Sequence, residues 1–109
     1  MIRNSILVVD DQEGVRRLLF EAFSEEGYQL DMAASGREAI QKVRVKAPDL
    51  ILLDNKMPAM TGLETAMEIR KFNQQVLIVI MTAYGELNIT AQARKIGINH
   101  YQELCSWWK

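Results

Sequence analysis

The chain has 109 residues, 49% of them hydrophobic and 25% charged, with a formal net charge of −1. That length supports one small domain around a single core, and the near-balanced charge excludes the basic field of a nucleic-acid binder. A lone Cys105 forbids an internal disulfide, no apolar run is long enough to span a bilayer, and Asp10 and Asp11 cut short any signal-peptide core, so a cytoplasmic protein without membrane contact is expected.

In chain order, Ile6–Val9 is the first of four short apolar runs; Leu30–Ala34, the weakest, then Leu50–Leu53 and Val76–Met81 follow. The first, third and fourth are continuous rather than alternating, as in strands covered on both faces of a parallel sheet. Helical patterns lie between them. Val15, Leu18, Leu19, Ala22 and Phe23 fall on one helical face, with Gly27 placed to cap its C-terminus. Ser35 and Glu38 have capping-box spacing ahead of Ala39, Ile40 and Val43, and Pro48 closes that segment. Thr61 and Glu64 repeat the box ahead of Leu63, Ala66 and Met67. A fourth helix is predicted over 86–96, followed by Gly97 and a poorly patterned fifth strand near Asn99–Leu104. There is no internal repeat, low-complexity tract or linker, so residues 1–109 are read as one domain with an atypical tail over 101–109.

Strict alternation of strand and helix implies right-handed crossovers and an open, doubly wound α/β parallel sheet of flavodoxin-like order 2-1-3-4-(5). Ligands of such sheets bind outside the carboxyl ends of the strands, at the switch point. In that order the strands ending at Asp10–Asp11 and Asp54 are neighbours, and Thr82 ends the next one. Clustered carboxylates raise one another's pKa unless a cation intervenes. Mg2+ (or Mn2+) suits them, since it takes hard oxygen ligands and keeps several waters. Asp10, Asp11 and Asp54 are the candidate ligands, with a main-chain carbonyl from the following loop, that of Lys56. Asp54 is then the candidate nucleophile toward a phosphoryl group, forming an aspartyl phosphate, and Thr82 the hydroxyl donor to it.

Plainer roles stand beside these. Asp11 can serve as a helix cap, a role compatible with metal binding. Asp54 can be a solvated strand-end acid and Thr82 an ordinary strand-end residue. Lys56 and Met57 read as loop residues and His100 as a surface or packing histidine.

ILVVDDQ (6–12), DLILLDNKMPAMTG (49–62) and VIMTAYGE (79–86) together resemble the signature blocks of the receiver domain of two-component response regulators. KMPAMTG and MTAYGEL bring the likeness nearest to the stand-alone receivers of the sporulation phosphorelay in spore-forming bacteria. The resemblance implies that Asp54 is the phosphoacceptor, Asp10 and Asp11 the metal-binding pair, Thr82 the switch hydroxyl and Tyr101 the switch aromatic. It implies two partners, a sensor histidine kinase that supplies the phosphoryl group and a histidine phosphotransferase that receives it. Gln12, Gly14, Val15 and Leu18, with Lys56, Tyr84 and Gly85, would border the docking surface.

The family also has a Lys-Pro pair at the end of strand five and a fifth helix packed on the sheet. Here the stretch is HYQELCSWWK, with Gln102, Glu103 and Leu104 where the lysine falls, and no room for a full helix. A C-terminally truncated receiver is therefore expected, with magnesium binding intact but phosphorylation or its readout impaired. The sheet face beside the first helix would be partly bare, available to Leu104, Trp107 and Trp108 or to a second copy in a homodimer through the tail. The alternative is a degenerate receiver that acts only as a protein-binding module. A metal-dependent hydrolase with an aspartate nucleophile is disfavoured, because Lys56 stands where its general acid would be.

Overall fold

The apolar runs become strands of one parallel sheet in a computed structural model that describes residues 5–25, 27–82 and 100–103, with backbone alone for 82 and 100–103. The elements are β1 (Ser5–Val9), α1 (Glu13–Ser24), β2 (Gln29–Ala33), α2 (Gly36–Val45), β3 (Leu50–Asp54), α3 (Gly62–Arg70), β4 (Leu77–Thr82) and β5 (His100–Glu103). The strand order is β2-β1-β3-β4-β5, every pairing parallel. The fifth strand is thus present, with Gln102 opposite Met81 and Glu103 opposite Thr82. The predicted helix over 86–96, Tyr84, Gly85, Gly97 and the tail after Glu103 lie outside the described residues. Among those described, no helix is long and apolar enough to cross a membrane.

Pleating divides the strand side chains between two cores. Leu7, Val9, Ile51, Leu53, Ile78 and Ile80 face α2 and α3, where Ala39, Val43, Leu63, Ala66 and Ile69 meet them. Ile6, Val8, Leu52 and Met81 face the other way, onto Leu19 with Val15 and Phe23 of α1. This explains the continuous apolar runs: both sides of the central strands are covered.

The helix ends follow their local chemistry. Thr61 and Glu64 form the full reciprocal capping box of α3. At α2 the Ser35 hydroxyl accepts from the Glu38 N–H, but the Glu38 carboxylate reaches one residue further back, to the Ala34 N–H. At the end of α1, Gly27 takes a φ of +91°. Its N–H donates to the Ser24 carbonyl and that of Tyr28 to the Phe23 carbonyl, while the Phe23 and Tyr28 rings meet edge-on at 6.0 Å. That is a Schellman stop with its hydrophobic contact.

Three sequence expectations are corrected. Leu18 and Ala22 do not face the sheet; both are exposed, because α1 packs through the narrower stripe of Val15, Leu19 and Phe23. Met57 is no plain loop residue: it is buried in the core under α2 and α3. Asp11 does not cap α1, whose N-cap position belongs to Gln12 and has no side-chain hydrogen bond.

Candidate functional site

The carboxyl ends of β1 and β3 are adjacent, since Val9 is paired with Leu53 and each strand hands the chain to an aspartate beyond or at that pair. The result is a pocket in which Asp10, Asp11 and Asp54 offer carboxylate oxygens all within 4.8 Å of one another. Asp10 and Asp54 are buried, at 2% and 7% exposure, while Asp11 opens to solvent. Two buried acids and a third open to solvent form a donor set of hard oxygens with excess negative charge, which fits a small divalent cation.

Asp10 is held on three sides. Its N–H donates to the Ala33 carbonyl at 3.1 Å. One carboxylate oxygen, Oδ1, accepts from the Gln12 N–H at 2.9 Å, and its main-chain carbonyl accepts from Arg16 Nη1 at 2.7 Å. Burial pushes the Asp10 pKa up; the Gln12 N–H opposes that, the neighbouring Asp11 adds to it, and the Arg16 charge offsets part.

Asp54 sits where the sheet meets a tightly folded loop. The Asn55 N–H donates to the Met81 carbonyl, extending the β3–β4 pairing one step past the strand. The Asn55 carbonyl accepts from the N–H groups of Met57 and Gly62, and its side-chain Oδ1 accepts from the Leu63 N–H at the start of α3. Gly62 lies so close beneath that a Cβ there would run into the Asp54 carbonyl oxygen and come within 2.8 Å of Asn55 Cα. Lys56 stands exposed at the crest of this loop, two residues after the acid.

The structure therefore brings together Asp10, Asp11 and Asp54, with Gln12 and Lys56 flanking. Gly14 and Leu18 are exposed and Val15 is half-buried at the start of α1. Thr82 ends β4, the strand beside β3, one residue past the Asp54–Met81 pair, and Tyr101 lies opposite Ile80 in β5, one strand further from the pocket. Tyr84 and Gly85 lie outside the described residues. Sequence reasoning missed Arg16, Asn55 and Gly62. Asn55 and Gly62 fall inside the DLILLDNKMPAMTG block, but their contribution is a main-chain fit that residue type alone does not announce.

Comparison with known proteins agrees with this geometry. The response regulator receiver domain matches over residues 6–102. The chain is 42% identical over 102 residues to sporulation initiation phosphotransferase F of Bacillus subtilis, spanning 93% of this chain and 82% of that one. It is 36% identical over 98 residues to regulatory protein AtoC of Escherichia coli, where the match takes in 90% of this chain but only 21% of the relative. Among solved structures, the response regulator TrrA of Thermotoga maritima in complex with Mg2+-BeF superposes with a TM-score of 0.83 at 39% identity, covering 92% of this chain and 85% of that one. A receiver domain protein of Clostridium thermocellum gives a TM-score of 0.86 at 25% identity, over 92% and 81% of the two chains. With the fold, the acid pocket and these matches in agreement, the chain belongs to the response regulator receiver domain family.

Proposed function

We propose that this receiver is a cytoplasmic phosphorelay intermediate: Asp54 takes a phosphoryl group from a histidine kinase and yields it to a histidine phosphotransferase. The observation that carries the reading is the convergence of three carboxylates within 4.8 Å, two of them buried. In the forward step an Asp54 carboxylate oxygen forms a bond to phosphorus as the P–N bond of the phosphohistidine breaks; the electron pair returns to the imidazole nitrogen, which takes up a proton. The onward step is the same exchange run toward a histidine of the second partner. Asp10, Asp11 and Asp54, with the Lys56 carbonyl, would hold Mg2+ or Mn2+, which when bound supplies neutralisation of the phosphoryl oxygens. The Mg2+-BeF complex of the Thermotoga relative supports that assignment. Asp10, fixed through its backbone and Oδ1, keeps its other oxygen directed by the same tethers. The folded loop from Asn55 to Gly62 orients Asp54, and Thr82 is assigned the hydroxyl that receives the product. Gln12, Gly14, Val15 and Leu18, with Lys56, Tyr84 and Gly85, would lie beside the surface on which the partners dock.

A second reading, a receiver reduced to protein binding, draws on one observation. Glu103, not a lysine, stands opposite Thr82 at the rim. Incubation with a small phosphodonor such as phosphoramidate, with and without Mg2+ and with Asp54→Ala as control, tests the two. We expect alkali- and hydroxylamine-labile, Mg2+-dependent labelling of the wild type at reduced yield and none in Asp54→Ala. Absence of label on the wild type in the presence of Mg2+ would favour the binding module.

A further inference from the structure

We propose that Arg16 is a positioning residue for the acid pocket, tethering the main chain of Asp10 so that the aspartate pair faces Asp54; this rests on reading the pocket as a divalent-cation site. Arg16 lies in the first turns of α1, half-buried, and its Nη1 donates to the Asp10 carbonyl at 2.7 Å. The choice of acceptor is informative. A guanidinium placed beside an acidic pocket gains most from a carboxylate, yet this bond goes to the carbonyl, which leaves the carboxylate oxygens for another cation.

The tether also completes the restraint of Asp10. The Ala33 carbonyl holds its N–H, Arg16 holds its carbonyl, and the Gln12 N–H holds Oδ1. With both peptide groups fixed and one carboxylate oxygen engaged, Oδ2 has little freedom left. Because the chain passes directly from Asp10 to Asp11, a fixed Asp10 carbonyl also sets the peptide plane from which Asp11 departs. Both candidate ligands of this segment are thereby oriented from one side chain. The Ala33 and Gln12 tethers are main-chain groups that side-chain truncation cannot remove. Arg16 is the one that a point mutation can.

Two roles for Arg16 predict opposite signs. A positive charge near a cation site weakens cation binding, so deleting it for electrostatic reasons alone would tighten Mg2+. Deleting a tether that orients a ligand weakens binding, typically by about 10-fold or more.

The experiment is a calorimetric Mg2+ titration of the wild type, Arg16→Met, Arg16→Lys and Leu19→Ala, with thermal melts of each. Leu19→Ala excavates the core beneath α1, away from the pocket, and controls for lost stability. We expect a Kd raised about 10-fold in Arg16→Met, largely recovered in Arg16→Lys, and unmoved in Leu19→Ala despite its lowered melting temperature. An unchanged or tightened Kd in Arg16→Met, or an equal loss in Leu19→Ala, would overturn the inference while leaving the metal reading standing. No uptake of Mg2+ by the wild type would overturn both. Should Arg16→Met fail to fold, Arg16→Gln carries the same comparison. Its metal-free 15N spectrum should then show the Gln12 amide displaced as the Asp10 turn loosens, and an undisplaced amide would count against the tether.

Discussion

Ala59 carries a φ of 70° in the loop that follows Asp54, and the Met60 N–H reaches back across it to the Pro58 carbonyl at 2.7 Å. A three-residue turn of this hand is rare and strained for any residue with a Cβ. Glycine removes the strain at the cost of a more flexible unfolded chain. Ala59→Gly should therefore stabilise the protein by about 0.5–1 kcal/mol, visible as a higher urea midpoint with an unchanged slope. Three residues on, the argument inverts. Gly62→Ala would press a methyl onto the Asp54 carbonyl and Asn55, costing about 1–3 kcal/mol of overpacking and displacing the acid itself, so reduced phosphodonor labelling should accompany the lower midpoint. Asp10 yields a pH prediction. Its folded pKa is raised above the ordinary 3.8, first by burial. The stability it contributes is fully present below that ordinary value and is lost as pH rises through the raised one. Above the raised pKa the metal-free protein thus holds an unfavourably ionised group. Asp10→Asn retains an oxygen for the Gln12 N–H and removes the charge, so its metal-free melting temperature should exceed the wild type's at pH 7 and converge with it near pH 3. A rise in melting temperature with Mg2+ is expected of the wild type at pH 7 and should be missing from the variant.

The edge strand β2 has an exposed flank that its own neighbours close. The Met32 N–H donates to the Asp31 carboxylate, and the Met32 carbonyl accepts from Lys42 Nζ at 2.6 Å. Lys42 also pairs with Asp31 at 2.9 Å, the contact that chiefly raises its pKa. Exposed pairs of this kind add only about 0–1 kcal/mol to stability. Their effect here is on association, because an open strand edge is a template for another chain. Lys42→Ala should lower the melting temperature little but produce concentration-dependent self-association by sedimentation velocity, with the wild type as the reference. None of this was legible beforehand, since Lys42 and Asp31 lie eleven positions apart on a helix and a strand. The helices were legible wherever their ends are written locally, as Thr61–Glu64 and Gly27 are. The face of α1 was not. Five apolar residues fit the helical period, but only the sheet decides that Val15, Leu19 and Phe23 turn inward and Leu18 outward.

For the molecule as a whole, the pocket was readable because topology forces it: once alternating strands and helices fix the order, the carboxyl ends of β1 and β3 must meet. What surrounds the acids depends on main-chain contacts of Arg16, Asn55 and Gly62, which no spacing encodes. The two sheet faces also differ. Beside α2 and α3, Ile78 and Ile80 are fully buried, whereas on the α1 side Leu77 is 46% exposed and Val79 half-buried. The described residues thus leave the β4 flank of that face only partly covered. At the rim of the same flank, the register puts Glu103 beside Thr82, one step from the Asp54–Met81 pair. Residue 103 is negative by type at a register position next to the Asp54–Met81 pair, where the proposed product would be a dianion. A lysine at 103 would reverse that sign, and its gain should be of the order expected for a partly exposed ion pair, about 1 kcal/mol or several-fold in an equilibrium. Glu103→Lys should therefore raise the fraction of Asp54 phosphorylated by a small phosphodonor and prolong the label after the donor is removed. Mg2+ affinity should fall only slightly, because β5 lies two strands from β3 and three from β1, whose ends carry the candidate ligands. A labelled fraction and lifetime identical to the wild type's, with Mg2+ affinity unchanged, would mean that the residue at 103 does not feel the phosphoryl site.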